Sequence, residues 1–153
     1  MSNYCSLGTK LRSLLDRLDK DVESSYKELG LTNYKPKYTP IFRALIIGES
    51  MTIGEITKTT GLTQPGVSQL VREMNKKGLV LTGSGQDGRE KFVSLTKEAT
   101  DMIPTLEIQW IATKSASQSL YEEIETALDE VAESAILALD KRSFKERIVE
   151  SLK

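Results

Sequence analysis

A mostly α-helical chain with one two-stranded β-hairpin near its middle is what the sequence predicts, on three observations. Apolar residues recur at three- and four-residue steps at both ends of the chain. Two short, capped helical stretches separated by Gly61 follow one another between Thr52 and Lys77. Directly after Gly78 the apolar period changes to two, and it returns to the helical step at Thr96.

Taken in order, Leu7, Leu11, Leu14, Leu15, Leu18 and Val22 mark one apolar face of a first helix from about Ser6 to Leu29, with Gly30 as its C′ residue. A linker, Thr32 to Pro40, follows; Pro36 and Pro40 keep the residue before each out of a helix interior. A short apolar helix from about Pro40 to Ile47 ends at Gly48. Thr52-Ile53-Gly54-Glu55 is a capping box that starts a helix reaching about Thr60. After the turn at Gly61, Thr63 caps the next helix, with Gln64 and Pro65 in the first turn, where proline costs least. That helix runs to about Lys77 and buries Val67, Leu70, Val71 and Met74. Leu79–Thr82 and Lys91–Leu95 read as paired strands around the turn-rich loop Gly83–Arg89. From Thr96 onward the pattern is helical. Met102, Ile103, Leu106, Trp110 and Thr113 form one face, and Pro104 either kinks this helix or sits in its first turns. Leu120, Ile124, Leu128, Val131, Ala135 and Leu139 continue the spacing, and the capping box Ser143-Phe144-Lys145-Glu146 opens a last short helix. Helix, turn, helix and a two-stranded wing, flanked by N- and C-terminal helices, is the order these elements spell.

Composition narrows the function. The 153 residues suit one compact domain, or a small one with helical extensions. No apolar run approaches the roughly 20 residues that cross a bilayer, and no leader pattern opens the chain, so a cytoplasmic protein without membrane contact is the expectation. One cysteine and no histidine exclude an internal disulfide, the usual Cys/His zinc cage and any imidazole-based catalysis. Cys5 has no basic neighbour closer than Lys10, so nothing marks it as an activated, redox-sensing thiolate. Glu122, Glu123, Glu125, Asp129, Glu130 and Glu133 read as an exposed helix face rather than as an enzyme's carboxylates. No enzyme, metal or cofactor is expected.

The net charge of −1 hides an asymmetry. Residues 1–31 are balanced, residues 32–98 carry ten basic against six acidic side chains, and residues 99–153 carry six against eleven. Because phosphate contacts are local and distant charges are screened, the basic middle segment is the one able to meet a polyanion. Within it, the helix from Gln64 presents Gln64, Ser68, Gln69 and Arg72 away from its apolar face, and Pro65 and Gly66 keep the leading turn slim. Gln can pair bidentately with adenine, Arg can bind guanine or phosphate, and Ser adapts. Arg89 at the hairpin can enter an A·T-rich minor groove, Asp87 can align its guanidinium, and Lys91 can meet a phosphate. The alternative for this unit is a protein–protein interaction module without specific DNA binding, which would show little salt dependence.

"TIGEITKTTGLTQPGVSQLVREMNKKGLV" (Thr52–Val80) followed by "QDGREKFVSLT" (Gln86–Thr96) resembles the multiple-antibiotic-resistance regulator (MarR) family of winged helix-turn-helix transcription regulators. "NYKPKYTPIFRAL" and "KRSFKERIVESL" resemble a branch sometimes fused to an acetyltransferase domain, for which this chain has no room. The resemblance implies a homodimer held by an N-terminal helix in residues 1–31 and a helical region in residues 99–153. Between them it implies a DNA-reading domain in residues 32–98, and as partner a double-stranded, pseudo-palindromic operator, with repression as the expected output. It places Gln64, Pro65, Ser68, Gln69 and Arg72 on the groove face, Arg89 at the wing tip with Asp87 orienting it, and Thr52 on a phosphate. Gly66 departs from the family pattern and is expected to loosen the helix by somewhat under ~1 kcal/mol relative to alanine. Family members that respond to a small-molecule effector bind it beside the dimer helices. Here Leu11, Leu14, Tyr34, Tyr38, Phe42 and Trp110 are the candidate lining, with ordinary core packing as the competing reading.

Overall fold

The computed structural model describes residues 6–153; Cys5 lies outside them. The chain divides into two units, the first reaching Gln109 and the second covering Trp110–Lys153.

The first unit opens with α1 (Leu7–Glu28), capped by the Ser6 hydroxyl, which accepts from the Thr9 N–H. Gly30, at φ +79°, ends it: the Leu31 N–H reaches back to the Tyr26 carbonyl, a Schellman closure that needs a left-handed residue. A 3-10 turn (Pro36–Tyr38) leads into α2 (Thr39–Gly48), then β1 (Ser50–Thr52), α3 (Ile53–Thr60), α4 (Gln64–Lys76), β2 (Val80–Ser84) and β3 (Lys91–Leu95). The second capped helix thus starts at the residue its cap predicts. So does α3, where the Thr52 hydroxyl accepts from the Glu55 N–H while the Glu55 carboxylate accepts from the Thr52 N–H.

The sheet has three strands rather than the two expected, in the order β1-β3-β2, all antiparallel. Met51 stands opposite Val93 and Thr82 opposite the same residue on the other side. Three residues show no alternation of their own; β1 is a strand only because β3 supplies its hydrogen bonds.

The unit's core is made by Tyr26, Tyr34, Tyr38, Ile41, Phe42, Leu45, Ile56, Val67, Met74, Leu79, Val80, Val93 and Leu106, all at most 2% exposed. Tyr34 is its centre, edge-on to Tyr26, Tyr38 and Phe42 with ring centroids 4.7, 5.9 and 5.3 Å away. The start of α5 (Lys97–Ile124) closes the unit. Thr96 caps it by accepting from the Ala99 N–H, and buried Gln109 donates from Nε2 to the Ser25 hydroxyl of α1. Pro104 sits in the third turn of a continuous helix.

The second unit holds the rest of α5, then α6 (Leu128–Lys141) and α7 (Phe144–Ser151). The helical spacing through Leu139 is interrupted at Glu125, which takes φ +54° while the Thr126 N–H closes onto the Tyr121 carbonyl. Neither α6 nor α7 buries any residue, and Val131, Ile136, Leu137, Phe144 and Ile148 are about half exposed. No described helix is long and apolar enough to cross a membrane.

The Thr52 cap gives a first expected outcome. Thr52→Ala removes an acceptor for an otherwise orphaned helix N–H and should lower stability by about 1 kcal/mol. In urea unfolding this reads as a lower midpoint with an unchanged slope; an unchanged midpoint would mean that β1 pairing, not the cap, holds this corner.

Candidate nucleic-acid interface

Helix α4 owes its placement to one apolar strip. Val67, Val71 and Met74 are buried at helical spacing, so the opposite face must point outward. Gln64, Pro65, Gln69 and Arg72 are exposed there, and Ser68 is half-buried at the edge of that face. Thr63 caps the helix, its hydroxyl accepting from the Gly66 N–H at 3.3 Å. A methyl group on Gly66 would come within 2.9 Å of that same oxygen. Glycine at this point therefore spares the cap, which offsets its poor helix propensity.

One flank of α4 faces the wing. Ser68, Arg72, Asn75 and Lys76 line a groove of about 390 Å³ whose other wall is Thr82, Lys91 and Val93, with Ile53 and Val71 beneath. Arg72, Lys76 and Lys91 bring three cations to one groove, which makes it a place where a polyanion's backbone can lie. Asn75, Lys76 and Thr82 were not singled out by sequence. Lys76 follows from Arg72 by one helical turn, and Thr82 from strand alternation, but neither pattern tells which two elements will face each other.

The wing loop is a hydrogen-bonded turn: the Gly85 N–H donates to the Glu90 carbonyl at 2.8 Å and the Gly88 N–H to the Gly85 carbonyl at 3.0 Å. Asp87 and Arg89 are both exposed in it. The Asp87 carboxylate accepts from the backbone N–H of Arg89 at 3.2 Å, and among the described residues no ion pair joins it to the guanidinium. A carboxylate two residues upstream fits the backbone as an Asx-turn, so Asp87 shapes the loop in the DNA-free chain.

Thr52 is half-buried at the start of α3. Its N–H and its hydroxyl both donate to Glu55 Oε2, at 2.7 and 3.1 Å, and these bonds hold the Glu55 carboxyl below its usual value. A phosphate at Thr52 has to displace that carboxylate.

The effector-lining candidates separate. Tyr34, Tyr38 and Phe42 are packed together, 0–1% exposed, with the Tyr34 and Thr39 hydroxyls 3.0 Å apart. Leu11 and Leu14 lie on α1 with 55% and 37% of their surface exposed. Trp110 belongs to the second unit, half-buried. Among the described residues no group of three metal-ligating side chains comes together.

The rear flank of α4 carries a feature the sequence did not disclose. Glu73 Oε1 accepts from the Tyr38 hydroxyl at 2.5 Å and from Lys35 at 3.4 Å, and Oε2 accepts from Lys37 at 2.7 Å. These partners, Lys37 and Tyr38 foremost, lower the Glu73 carboxyl to about 2. Burial and the neighbouring carboxylate push the Tyr38 phenol above its ordinary value.

The family model of the MarR family matches residues 32–90. Comparison with the curated proteins finds no match. Among solved structures, the chain resembles the PcaV transcriptional regulator from Streptomyces coelicolor in complex with its natural ligand. That likeness has a TM-score of 0.62 at 15% identity over 94% of this chain and 99% of that one. It also resembles reduced AbfR bound to DNA (TM-score 0.62, 14% identity, 87% and 92% covered). A MarR mutant from E. coli is similar at a TM-score of 0.55 and 16% identity, with 91% and 98% covered. At these identities the likeness is one of fold.

Proposed function

Because residues 32–90 match the model of the MarR family, we propose that the protein is a sequence-specific DNA-binding transcription regulator. It acts as a homodimer on a pseudo-palindromic operator and represses by occupying it. The observation that carries this reading is the exposed polar face of α4, pinned from behind by Val67, Val71 and Met74 and bordered by the groove that Arg72, Lys76 and Lys91 share. A supported helix of this kind fits a major groove, while the wing reaches the adjacent minor groove through Arg89. Gln64, Pro65, Ser68, Gln69 and Arg72 face the bases, and Lys91 meets the backbone.

The dimer is supported by exposed apolar side chains: Leu7, Leu11, Leu15 and Leu18 on α1, and Val131, Ile136, Phe144 and Ile148 in the second unit. A two-fold pair of reading helices calls for half-sites about one helical turn, roughly 34–36 Å, apart. PcaV is seen with a natural ligand, and a small-molecule effector is proposed here too. One that reaches Tyr34, Tyr38 and Phe42 has to open the core they form.

Selection of bound duplexes from a random pool, followed by titration against salt, tests the reading. A recovered inverted repeat whose affinity falls steeply with salt is expected; a pool that returns no enriched sequence would remove it. On the recovered site, Ser68→Ala or Gln69→Ala should change base preference by about 1–3 kcal/mol at the contacted position while leaving the salt slope alone. A changed slope with unchanged preference would move these residues to the backbone.

A further inference from the structure

An apolar strip turns one face of a helix inward, but fixes the rotation about the axis only to within the strip's own width of roughly 100°, because burial is non-directional. Base reading needs that rotation held. A roll of about 10° moves a side-chain tip, some 5–6 Å from the axis, by about 1 Å, enough to spoil a bidentate hydrogen bond. Two side chains of α4 can supply the restraint. Asn75 donates from Nδ2 to the Val80 carbonyl at 3.0 Å, tying one flank to β2. Glu73, about 200° around the helix from Asn75, ties the other flank to the 3-10 turn through Tyr38, Lys37 and Lys35.

The anchor on that second side is stiff. Pro36 opens the turn, and Tyr38 is fully buried with its ring edge-on to Tyr34, which packs in turn on Tyr26 of α1. The ammonium groups of Lys37 and Lys77 lie 5.8 and 5.7 Å from the Tyr38 ring centroid. Glu73 is thus the one acidic group of α4 that joins the reading helix, through an unbroken chain of contacts, to the N-terminal helix.

We infer that Glu73 is a positioning residue for DNA discrimination: by holding Tyr38, Lys37 and Lys35 it fixes the roll of α4 and thereby sequence preference, without touching DNA. The inference rests on the DNA-binding reading above.

The test compares wild type, Glu73→Ala and Glu73→Gln, the last of which can still accept from the Tyr38 hydroxyl. Affinity for the selected operator and for a scrambled duplex of equal length is measured at one salt concentration, together with thermal melting. The ratio of the two affinities should fall about tenfold in Glu73→Ala and about threefold in Glu73→Gln. Binding to the scrambled duplex should hold or rise, because Lys35 and Lys37 are released from their carboxylate. A purely structural contribution lowers both affinities together with the melting temperature and leaves the ratio alone; that result, or an unchanged ratio in Glu73→Ala, would overturn the inference. A wild-type ratio near one would instead overturn the DNA reading, and this inference with it.

Discussion

Arg89→Ala is expected to weaken operator binding by about 10- to 100-fold, the equivalent of about 1–3 kcal/mol, while leaving folding and oligomeric state unchanged. Arg89 is exposed, and among the described residues only its backbone N–H is engaged, by Asp87. Its guanidinium therefore contributes nothing to the free protein that alanine would take away. In a narrow, A·T-rich minor groove the same cation meets a concentrated negative potential. The loss should be largest for operators whose flanking sequence is A·T-rich. Equal affinity of Arg89→Ala and wild type in an electrophoretic or anisotropy titration would take the wing out of the mechanism.

The second large effect concerns assembly. Leu11→Asp combined with Leu15→Asp places two charges one turn apart on the exposed stripe of α1, where the leucines are 55% and 57% exposed. Neither side chain supports the core, so the chain should fold. If α1 pairs with a second copy, burying two unpaired carboxylates forbids the contact, and the protein should sediment as a monomer. Operator affinity should then fall by at least about 100-fold, because two linked reading heads gain roughly 10²–10⁴ over one. A variant that remains dimeric with full operator affinity would place the interface elsewhere.

Much of this architecture was legible because its signals are local. The capping boxes at Thr52–Glu55 and Ser143–Glu146 form within four residues of chain, and both helices start where those boxes predict. The stops at Gly30 and Gly78 are equally local, since glycine tolerates the left-handed closure that ends a helix. Strand β3 was predicted at its observed bounds, Lys91–Leu95, from its period alone. By contrast, the end of α5 at Glu125 uses a left-handed residue with no glycine to announce it. The short strand β1 has no pattern apart from the strand it pairs with. In the candidate site, the exposed face of α4 could be read from the 3.6-residue period. Its borders could not: Thr82 reaches the groove through strand pairing, and Glu73 reads as one more solvated carboxylate until Tyr38 is placed 35 residues upstream.

The sequence by itself determined the order of helices, turn and wing, and which face of the reading helix is polar, because caps, glycine stops and periodicity act over a few residues. Only the tertiary structure decided which distant side chains bond to that helix, that the Asp87 carboxylate accepts from the Arg89 backbone N–H, and that Tyr34, Tyr38 and Phe42 pack together as core. Those outcomes depend on which distant groups arrive within hydrogen-bonding or van der Waals distance, and no local pattern carries that information.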